Sequence, residues 1–374
     1  MEFDLGILGG GQLARMSVLA AHPMGLRPLC LCSERDDPAA QVGESLIAHK
    51  DDPQAISALF ERCEVVTLES EFVSAQAIRA AKSFDPSRMI PTLAALEIIQ
   101  DKLTQRQTLA AAGVPSPRAV AIEGQGEQAI AAIGFPMVLK ARFGGYDGKG
   151  TRYAKTEQEF LSLEPDWGKG GWLAESFVPF QRELAVMVFV QNGRAGAFPT
   201  METVQKDHIC DLVFPCTSDA AQVAIQAVQA VQAVGGDGLF GVELFELKNG
   251  QVLVNEMAPR PHNSGHYTLD WGGPSQFQQH VRVVCGLAPA PATGHPTCMA
   301  NLMGRPNARD HRNGLRQALK TEPAAAVHWY GKNESRKGRK MGHLNLRANE
   351  NEPTESLVAR TVAAREAFYG GWQQ

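Results

Sequence analysis

The sequence predicts an α/β protein built in more than one unit, and three observations predict that class. Strand-like and helix-like stretches alternate from Phe3 to Leu68, as in a parallel sheet with helical crossovers. A short apolar stretch, Phe135–Lys140, runs into a loop with four glycines between Ala141 and Thr151. Two runs rich in Val, Leu and Phe flank Asn249-Gly250, the strongest short-range signal for a hairpin.

The first unit opens with a strand over Phe3–Leu8, a turn at Gly9-Gly10-Gly11, and a helix from about Gln12 to Ala21. A strand over Arg27–Cys32, a short helix near Gln54–Arg62 and a strand over Val65–Leu68 follow. In such sheets the functional groups lie at the carboxyl ends of the strands, here the glycine turn and Glu69-Ser-Glu71. Gly9-x-Gly11-x-x-Ala14 formally fits a dinucleotide fingerprint, with Glu34 at the distance for a ribose hydroxyl. The physics says only that N–H groups at a helix N-terminus can hold an anion, so any phosphate would serve. Glu69 and Glu71 share a strand face and can reach one crevice, or are plain strand-end acids.

Pro91–Gly113 reads as a linker and a helix stopped by Gly113 and Pro115, with a unit boundary near Gln100. Val114–Val120 reads as a Pro-broken strand. The glycine loop after Lys140 carries Arg142 and Lys149, which makes it a cationic, donor-rich flap whose backbone can approach phosphates closely. It is not a Walker A loop, because GxxxxGK[ST] is absent, and a solvated glycine turn is the plainer reading. Strands follow over Trp172–Val178 and Glu183–Val190, the latter turning at Asn192-Gly193. They are sandwich strands by composition and offer an adenine slot with Glu183 at its end. Ser218–Val234 is a helix capped by Ser218 or Asp219, and its stripe of Val223, Ala227, Val228, Val231 and Val234 is core.

If Asn249-Gly250 is a two-residue loop, Lys248 faces Gln251, Leu247 faces Val252, Phe245 faces Val254, and Glu243 faces Glu256. Like charges directly opposite are destabilising, so either a cation lies between the carboxylates or both are solvated on an exposed hairpin. Paired hard oxygens with room for waters and phosphates suit Mg²⁺. Arg260, His262, Asn263 and His266 then crowd a proline-rich loop at the end of the strand that carries Glu256.

Gln276–Cys285 reads as a helix, and a smaller unit begins near Ala290 after a Pro-rich break, with strands over Cys298–Leu302 and Ala325–Tyr330. Five of the residues from Lys332 to Lys340 are basic. A solvated charge run is one reading; a turn closing over an anionic substrate is the one favoured in a chain of net charge −4. That net charge shows no nucleic-acid footprint. No apolar stretch reaches the length of a membrane span, and no signal peptide is read at the start. The seven cysteines are scattered without CxxC spacing, as expected of reduced cytosolic thiols.

GILGGGQLARM, LKARFGGYDGKG, ELFELKNGQVLVNEMAPRPHNSGH and YGK…RKGRKMGH, in this order along the chain, resemble the 5-(carboxyamino)imidazole ribonucleotide synthase family of ATP-grasp ligases. The resemblance implies an ATP-grasp fold, with a parallel-sheet α/β domain over 1–100, an ATP-grasp domain over 101–290 and a small β-rich domain over 291–374. A mobile flap subdomain would span about 114–180. It implies a cytoplasmic homodimer of purine biosynthesis that uses ATP, Mg²⁺, bicarbonate and aminoimidazole ribonucleotide. Lys140 and the flap residues Gly145, Tyr146, Asp147, Gly148, Lys149 and Gly150 would hold phosphates. Glu175, Ser176, Phe177 and Val178 would frame adenine, with Glu183 on ribose and His208 nearby; Lys102 and Asn255 would complete the nucleotide site. Glu243 and Glu256 would bind Mg²⁺. The ribonucleotide would lie against Gln12, Leu13, Glu71, Tyr146, Asp147, Arg260, His262 and Asn263, with Lys332, Arg339 and Lys340 near its phosphate or bicarbonate. Lys140, Arg260, His262, Asn263 and Lys332 would be catalytic.

Three positions depart from the family pattern. Phe72 stands where an amide or histidine is frequent. Lys102 replaces an arginine and keeps its charge without its fork. Ala258 stands where many ATP-grasp enzymes have a metal-binding Asn, and in the two-residue register Asn255 points away from Glu256. The rival functions are another ATP-grasp ligase, of the formate-dependent glycinamide ribonucleotide transformylase or biotin carboxylase type, and a nicotinamide dehydrogenase using the Gly9–Ala14 turn.

Overall fold

The computed structural model describes residues 1–145, 148–216, 220–306 and 310–372. The expected helix caps Ser218 and Asp219 lie outside the described residues.

The first unit holds β1 (Phe3–Leu8), α1 (Gln12–Ala21), β2 (Pro28–Cys32), β3 (Glu44–Ile47), α2 (Pro53–Arg62), β4 (Cys63–Leu68), α3 (Ala75–Ala80) and α4 (Leu93–Gln100). Its four strands lie parallel in the order β3-β2-β1-β4. β1 and β2 are covered on both faces, which is why they read as continuous apolar runs rather than alternating ones. The segment expected to be a linker after Pro91 is instead helical. Thr92 caps α4 by accepting from the Ala95 N–H, and Leu93, Ala95, Leu96 and Ile99 are buried.

The second unit begins with α5 (Lys102–Ala111), followed by a small layer of β5 (Ala119–Ala121), α6 (Glu127–Ile133), β6 (Met137–Ala141), β7 (Thr151–Ala154), α7 (Glu157–Ser162), α8 (Glu164–Trp167) and β8 (Trp172–Ser176). Those strands form an antiparallel sheet, β5-β8-β6-β7, over a core of Met137, Leu139, Phe160 and Trp167. The strand expected over Val114–Val120 shrinks to β5. Pro115 and Pro117 have no N–H to give a ladder, and the Pro115 carbonyl accepts the Val254 N–H instead, at 2.9 Å.

The chain then builds β9 (Phe180–Gln191), β10 (Arg194–Ala197), β11 (Met201–Lys206), β12 (Ile209–Pro215), α9 (Ala220–Val234), β13 (Gly238–Leu247), β14 (Val252–Ala258) and α10 (Gln276–Val284). The last stretch gives β15 (Thr297–Met303), α11 (Arg312–Thr321), β16 (Ala326–Trp329), β17 (Lys340–Arg347) and α12 (Thr354–Gly371). β9 to β17 make one sheet in the order β14-β13-β9-β11-β12-β15-β17-β16, with β10 paired to β9. The C-terminal strands therefore have no sheet of their own. They extend the central one through the β12–β15 pair, Leu212↔Ala300 and Val213↔Met299. One face of the sheet packs on α9, through Val223, Ala227 and Val231. α10 joins the other face to the first unit, placing Phe277, Val281 and Val284 among Leu13, Met16 and Ala20 of α1. No described helix is long and apolar enough to cross a membrane.

The β13–β14 hairpin corrects the expected register. The Gly250 N–H donates to the Leu247 carbonyl and the Leu247 N–H to the Gln251 carbonyl, both at 2.9 Å, so the loop has three residues, Lys248-Asn249-Gly250. Only Gly250 takes the left-handed conformation, φ +81°, as in a turn closed by a glycine bulge. Phe245 accordingly faces Leu253 rather than Val254. A second irregularity after Glu243 restores the lost residue, and Glu243 does face Glu256. The extra residue is Asn255, which explains why its side chain shares the cleft with Glu256 instead of pointing away.

Candidate active site

The three units meet around one cleft of about 910 Å³, with nearly all the side chains singled out from the sequence on its walls. At one end β6 delivers Lys140 and β8 delivers Glu175. The Lys140 Nζ lies 2.8 Å from one Glu175 oxygen, and Arg106 of α5 donates to the other at 2.8 Å. Burial alone would raise the Glu175 carboxyl, but the two cations outweigh it and hold it down to about 2. Lys140 also donates to the Asn255 Oδ1 at 3.3 Å, and Arg106 to the Asn255 carbonyl. One helical turn from Arg106, Lys102 donates to Glu256 Oε1 at 2.5 Å. Lys102 thus reaches the site through Glu256 and is not on the cleft wall itself. Burial raises the Glu256 carboxyl, yet Lys102, with Lys140 and Arg106, pulls it below its ordinary value.

The flap is anchored to the same helix. Asp101 caps α5 and pairs with Arg142, whose carbonyl accepts the Lys102 N–H at 3.0 Å. The Gly150 carbonyl accepts the Ala141 N–H at 2.8 Å at the base of the loop, and Gly145 lies beside the Lys149 carbonyl and the Lys102 side chain. Gly148 and Lys149 line the cleft. Gly148 has φ +75°, and a Cβ there would fall 2.7 Å from the Cβ of His208. Tyr146 and Asp147 lie outside the described residues.

Beyond the flap, Ser176, Phe177 and Val178 form a rim, and Phe180 stacks on Phe245 with centroids 4.5 Å apart. Tyr153 stacks on His208. Burial raises the Glu183 carboxyl here, while Gln205 and His208 oppose that. Apolar walls with one carboxylate at the end suit a nucleoside base with its ribose.

The other end of the cleft is cationic. Arg260 and Glu71 form a fork-to-fork pair, with Nη2 to Oε1 at 2.7 Å. His262 Nε2 stands 3.7 Å from Glu243 Oε1. Its Nδ1 lies 2.9 Å from Ser264 Oγ and 3.4 Å from the Ser264 backbone nitrogen. Burial, then Arg260 and Lys340, lowers the imidazole to about 3, so the ring is neutral. Asn263 and Asn301 exchange amide hydrogen bonds of 3.0 and 2.7 Å, which ties the loop to β15. Lys332, Arg339 and Lys340 reach this end from the basic turn. Lys332 donates to the Lys340 carbonyl at 2.8 Å, and burial followed by the charge of Arg339 lowers its ammonium to about 8.

Gln12 and Leu13 also line this end, but the glycine turn is not an open phosphate cradle. The Glu69 carboxylate accepts the Gly11 N–H at 3.0 Å and the Leu13 N–H at 3.3 Å. A Cβ at Gly11 would sit 2.2 Å from Glu69 Oε1, so the glycine is there to admit a carboxylate from the same chain. Glu69 and Glu71 diverge: one caps α1, the other holds Arg260. Glu34 is exposed beside Asp37, which removes the dinucleotide reading of the turn.

The sequence matches three family models: a ribonucleotide synthetase preATP-grasp domain over residues 2–100, an ATP-grasp domain over 107–277, and a phosphoribosylaminoimidazole carboxylase C-terminal domain over 297–356. It is 39% identical over 376 residues to the N5-carboxyaminoimidazole ribonucleotide synthase of Synechococcus elongatus, covering 96% of this chain and 94% of that one. The chain belongs to the N5-carboxyaminoimidazole ribonucleotide synthase family. Among solved structures it resembles the synthase from Aspergillus clavatus complexed with ATP, with a TM-score of 0.89 and 29% identity over 99% of each chain. The complex of an Aspergillus clavatus synthase with ADP and 5-aminoimidazole ribonucleotide superposes with a TM-score of 0.87 and 30% identity, covering 98% of this chain and 99% of that one. The fold expected from the sequence is therefore the one found, and the chain is an ATP-dependent ligase.

Four features of the enzyme's cleft are not foreseen from the sequence. Arg106 has a usable signal, its spacing of four residues from Lys102 on one helix. Glu69 as a cap, Asn301 as the partner of Asn263, and Gln276 behind the proline-rich loop come from distant parts of the chain and leave none. The donor set fits Mg²⁺ as resident metal. Glu243 and Glu256 face each other with hard oxygens, no third His, Cys, Asp or Glu closes a cage among the described residues, and Mg²⁺ takes one or two carboxylates together with phosphate oxygens.

Proposed function

We propose that this synthase carboxylates the exocyclic amine of 5-aminoimidazole ribonucleotide with bicarbonate at the expense of ATP, releasing ADP and phosphate. The observation that carries the reading is that one cleft joins an apolar nucleoside slot, the Lys140–Glu175–Arg106 cluster, the facing Glu243 and Glu256, and the cationic end at Arg260, His262 and Lys332.

Bicarbonate is a poor electrophile. Its oxygen attacks the γ-phosphorus, ADP leaves, and the resulting carboxyphosphate carries a phosphate leaving group on its carboxyl carbon. The amine nitrogen then attacks that carbon, the C–O bond to phosphate breaks, and the nitrogen releases a proton as the carbamate forms. Glu243 and Glu256 would hold Mg²⁺, which would supply positive charge to offset that of the phosphates. Lys140, fixed by Glu175, holds a cation at the transferring phosphoryl group. Arg260, fixed by Glu71, and Lys332 hold the bicarbonate and ribonucleotide anions. His262, held neutral by burial, sets its Nε2 beside Glu243 at the same end. The flap, seated on His208 through Gly148, excludes the water that would hydrolyse carboxyphosphate. Asn255 assists by its hydrogen bond with Lys140, and Asn263 by holding the loop that carries Arg260 and His262. We expect a cytoplasmic homodimer.

ADP release is measured with ATP, Mg²⁺ and bicarbonate, with and without the aminoimidazole ribonucleotide. Release that requires both bicarbonate and the ribonucleotide is the expected result. Turnover indifferent to the ribonucleotide keeps an ATP-grasp ligase and discards this substrate. Stimulation by formate and glycinamide ribonucleotide, or by biotin, would transfer the chain to one of the rival ligases.

A further inference from the structure

Behind the proline-rich loop lies Gln276, the first residue of α10, with no exposed surface. Its Oε1 accepts the His262 N–H at 2.9 Å, and its Nε2 donates to the His262 carbonyl at 2.8 Å. A backbone N–H can only donate and a carbonyl can only accept, so these two bonds fix which end of the amide is oxygen. The second Nε2 hydrogen then meets His266 Nδ1, also at 2.8 Å. Because that hydrogen comes from the amide, Nδ1 must be the accepting nitrogen. Burial holds the His266 imidazole well below its usual range and therefore neutral, so its one proton sits on Nε2. That atom is buried and has no partner among the described residues, although His266 is on the cleft wall.

The contact leaves no slack. A Cβ on Gly265 would lie 2.4 Å from Gln276 Oε1, so the loop approaches the amide as closely as only glycine allows. The Gln276 N–H in turn donates to Thr268 Oγ1 at 2.9 Å, and that hydroxyl donates to the Gly265 carbonyl at 2.6 Å. One side chain therefore grips both backbone groups of His262 and one ring nitrogen of His266.

We propose that Gln276 is a positioning residue of this synthase, which holds His262 at its backbone and fixes His266 beside it as the Nε2–H tautomer. The expected effect on rate rests on the function proposed above; the tautomer does not.

The test is nitrogen-15 NMR of histidine-labelled full-length protein, in which long-range proton–nitrogen couplings report the tautomer of each ring. His266 is assigned by the signals missing from a His266→Gln sample. The Nε2–H pattern is expected; an Nδ1–H or doubly protonated pattern overturns the proposal, and this arm needs no variant of Gln276. In Gln276→Met, which keeps the length but has no amide, His266 loses its single-tautomer pattern. The maximal rate falls roughly 10²-fold, the scale of a reacting group misplaced by about an ångström, while KM for ATP stays unchanged. A folded Gln276→Met protein with wild-type kcat overturns the positioning role. If the tautomer is found as expected but the aminoimidazole ribonucleotide is not carboxylated, the substrate assignment falls and the tautomer assignment stands. If the ribonucleotide is carboxylated but the ring carries Nδ1–H, the tautomer assignment falls and the substrate assignment stands.

Discussion

Glu175 and Lys140 are locked together at 2.8 Å, and the other Glu175 oxygen is taken by Arg106 at the same distance. The carboxylate is buried and sits between two cations whose own hydrogen bonds run to Asn255, so one acid organises the phosphate end of the cleft. Its carboxyl is depressed from 4.5 to about 2, which corresponds to about 3 kcal/mol of stability. A depressed folded-state value stabilises above the unfolded value of 4.5, and the contribution is lost as pH falls from there towards 2. Glu175→Gln leaves the buried Arg106 and the half-buried Lys140 short of a partner and should cost about 3 kcal/mol in denaturant titration at pH 7. Its deficit should narrow as pH falls from 4.5 towards 2, because the unfolded wild-type chain takes up a proton there that the folded carboxylate does not. A loss under 1 kcal/mol would show that the triad is not what steadies Lys140.

Glu256 stands where the bulge at Asn255 turns the end of β14 into the cleft, opposite Glu243. Replacing it with glutamine keeps the shape and removes a hard anionic ligand together with the charge partner of Lys102. Glu256→Gln should retain the wild-type circular dichroism spectrum and lose at least about 10³-fold in ATP turnover, the scale of removing a group that stabilises transferring charge. Near-normal turnover would remove Glu256 from the metal assignment.

Legibility followed locality. β1 and α1 are read to the residue because an apolar run, a glycine turn and a helix stripe are adjacent in the chain. The facing of Glu243 and Glu256 is correct only because two departures cancel, a three-residue loop at Gly250 and an extra residue at Asn255. The two-residue turn expected there occurs at Asn192-Gly193, where both residues have positive φ and Gln191 pairs with Arg194. Asn-Gly is compatible with either turn, so the dipeptide alone does not set the register. α4 does not show as a helix in the sequence because it is apolar on most sides and so lacks a clear stripe. Site residues can be named from the motifs, while their clamps come from elsewhere: Glu69 to α1, Glu71 to Arg260, Asn301 to Asn263. Such contacts join residues far apart in the chain and have no local pattern.

Gly148 meets His208 so closely that even a methyl group would clash, and its φ of +75° disfavours any side chain. Gly148→Ala should hold the flap off His208 and admit water to the phosphoryl-transfer site. The diagnostic is coupling rather than rate: ADP released per carbamate formed should rise well above one, while the wild type stays near one. Coupling that remains tight would mean that the contact with His208 is not what excludes water.

Lys332 is the cation of the acceptor end whose charge changes near physiological pH. Burial lowers its ammonium to about 8, with Arg339, Lys340 and Arg336 adding to the shift and Glu69 opposing it. It is protonated below about pH 8 and neutral above, so its attraction for an anionic substrate fades as pH rises through that value. kcat/KM for the ribonucleotide reports the free enzyme and should therefore fall on the alkaline side of about 8, with KM for ATP insensitive over the same range. Lys332→Arg keeps its charge throughout and should lose that alkaline limb even if its maximum is lower. An unchanged limb in Lys332→Arg would assign the titration to another group and take Lys332 out of anion binding.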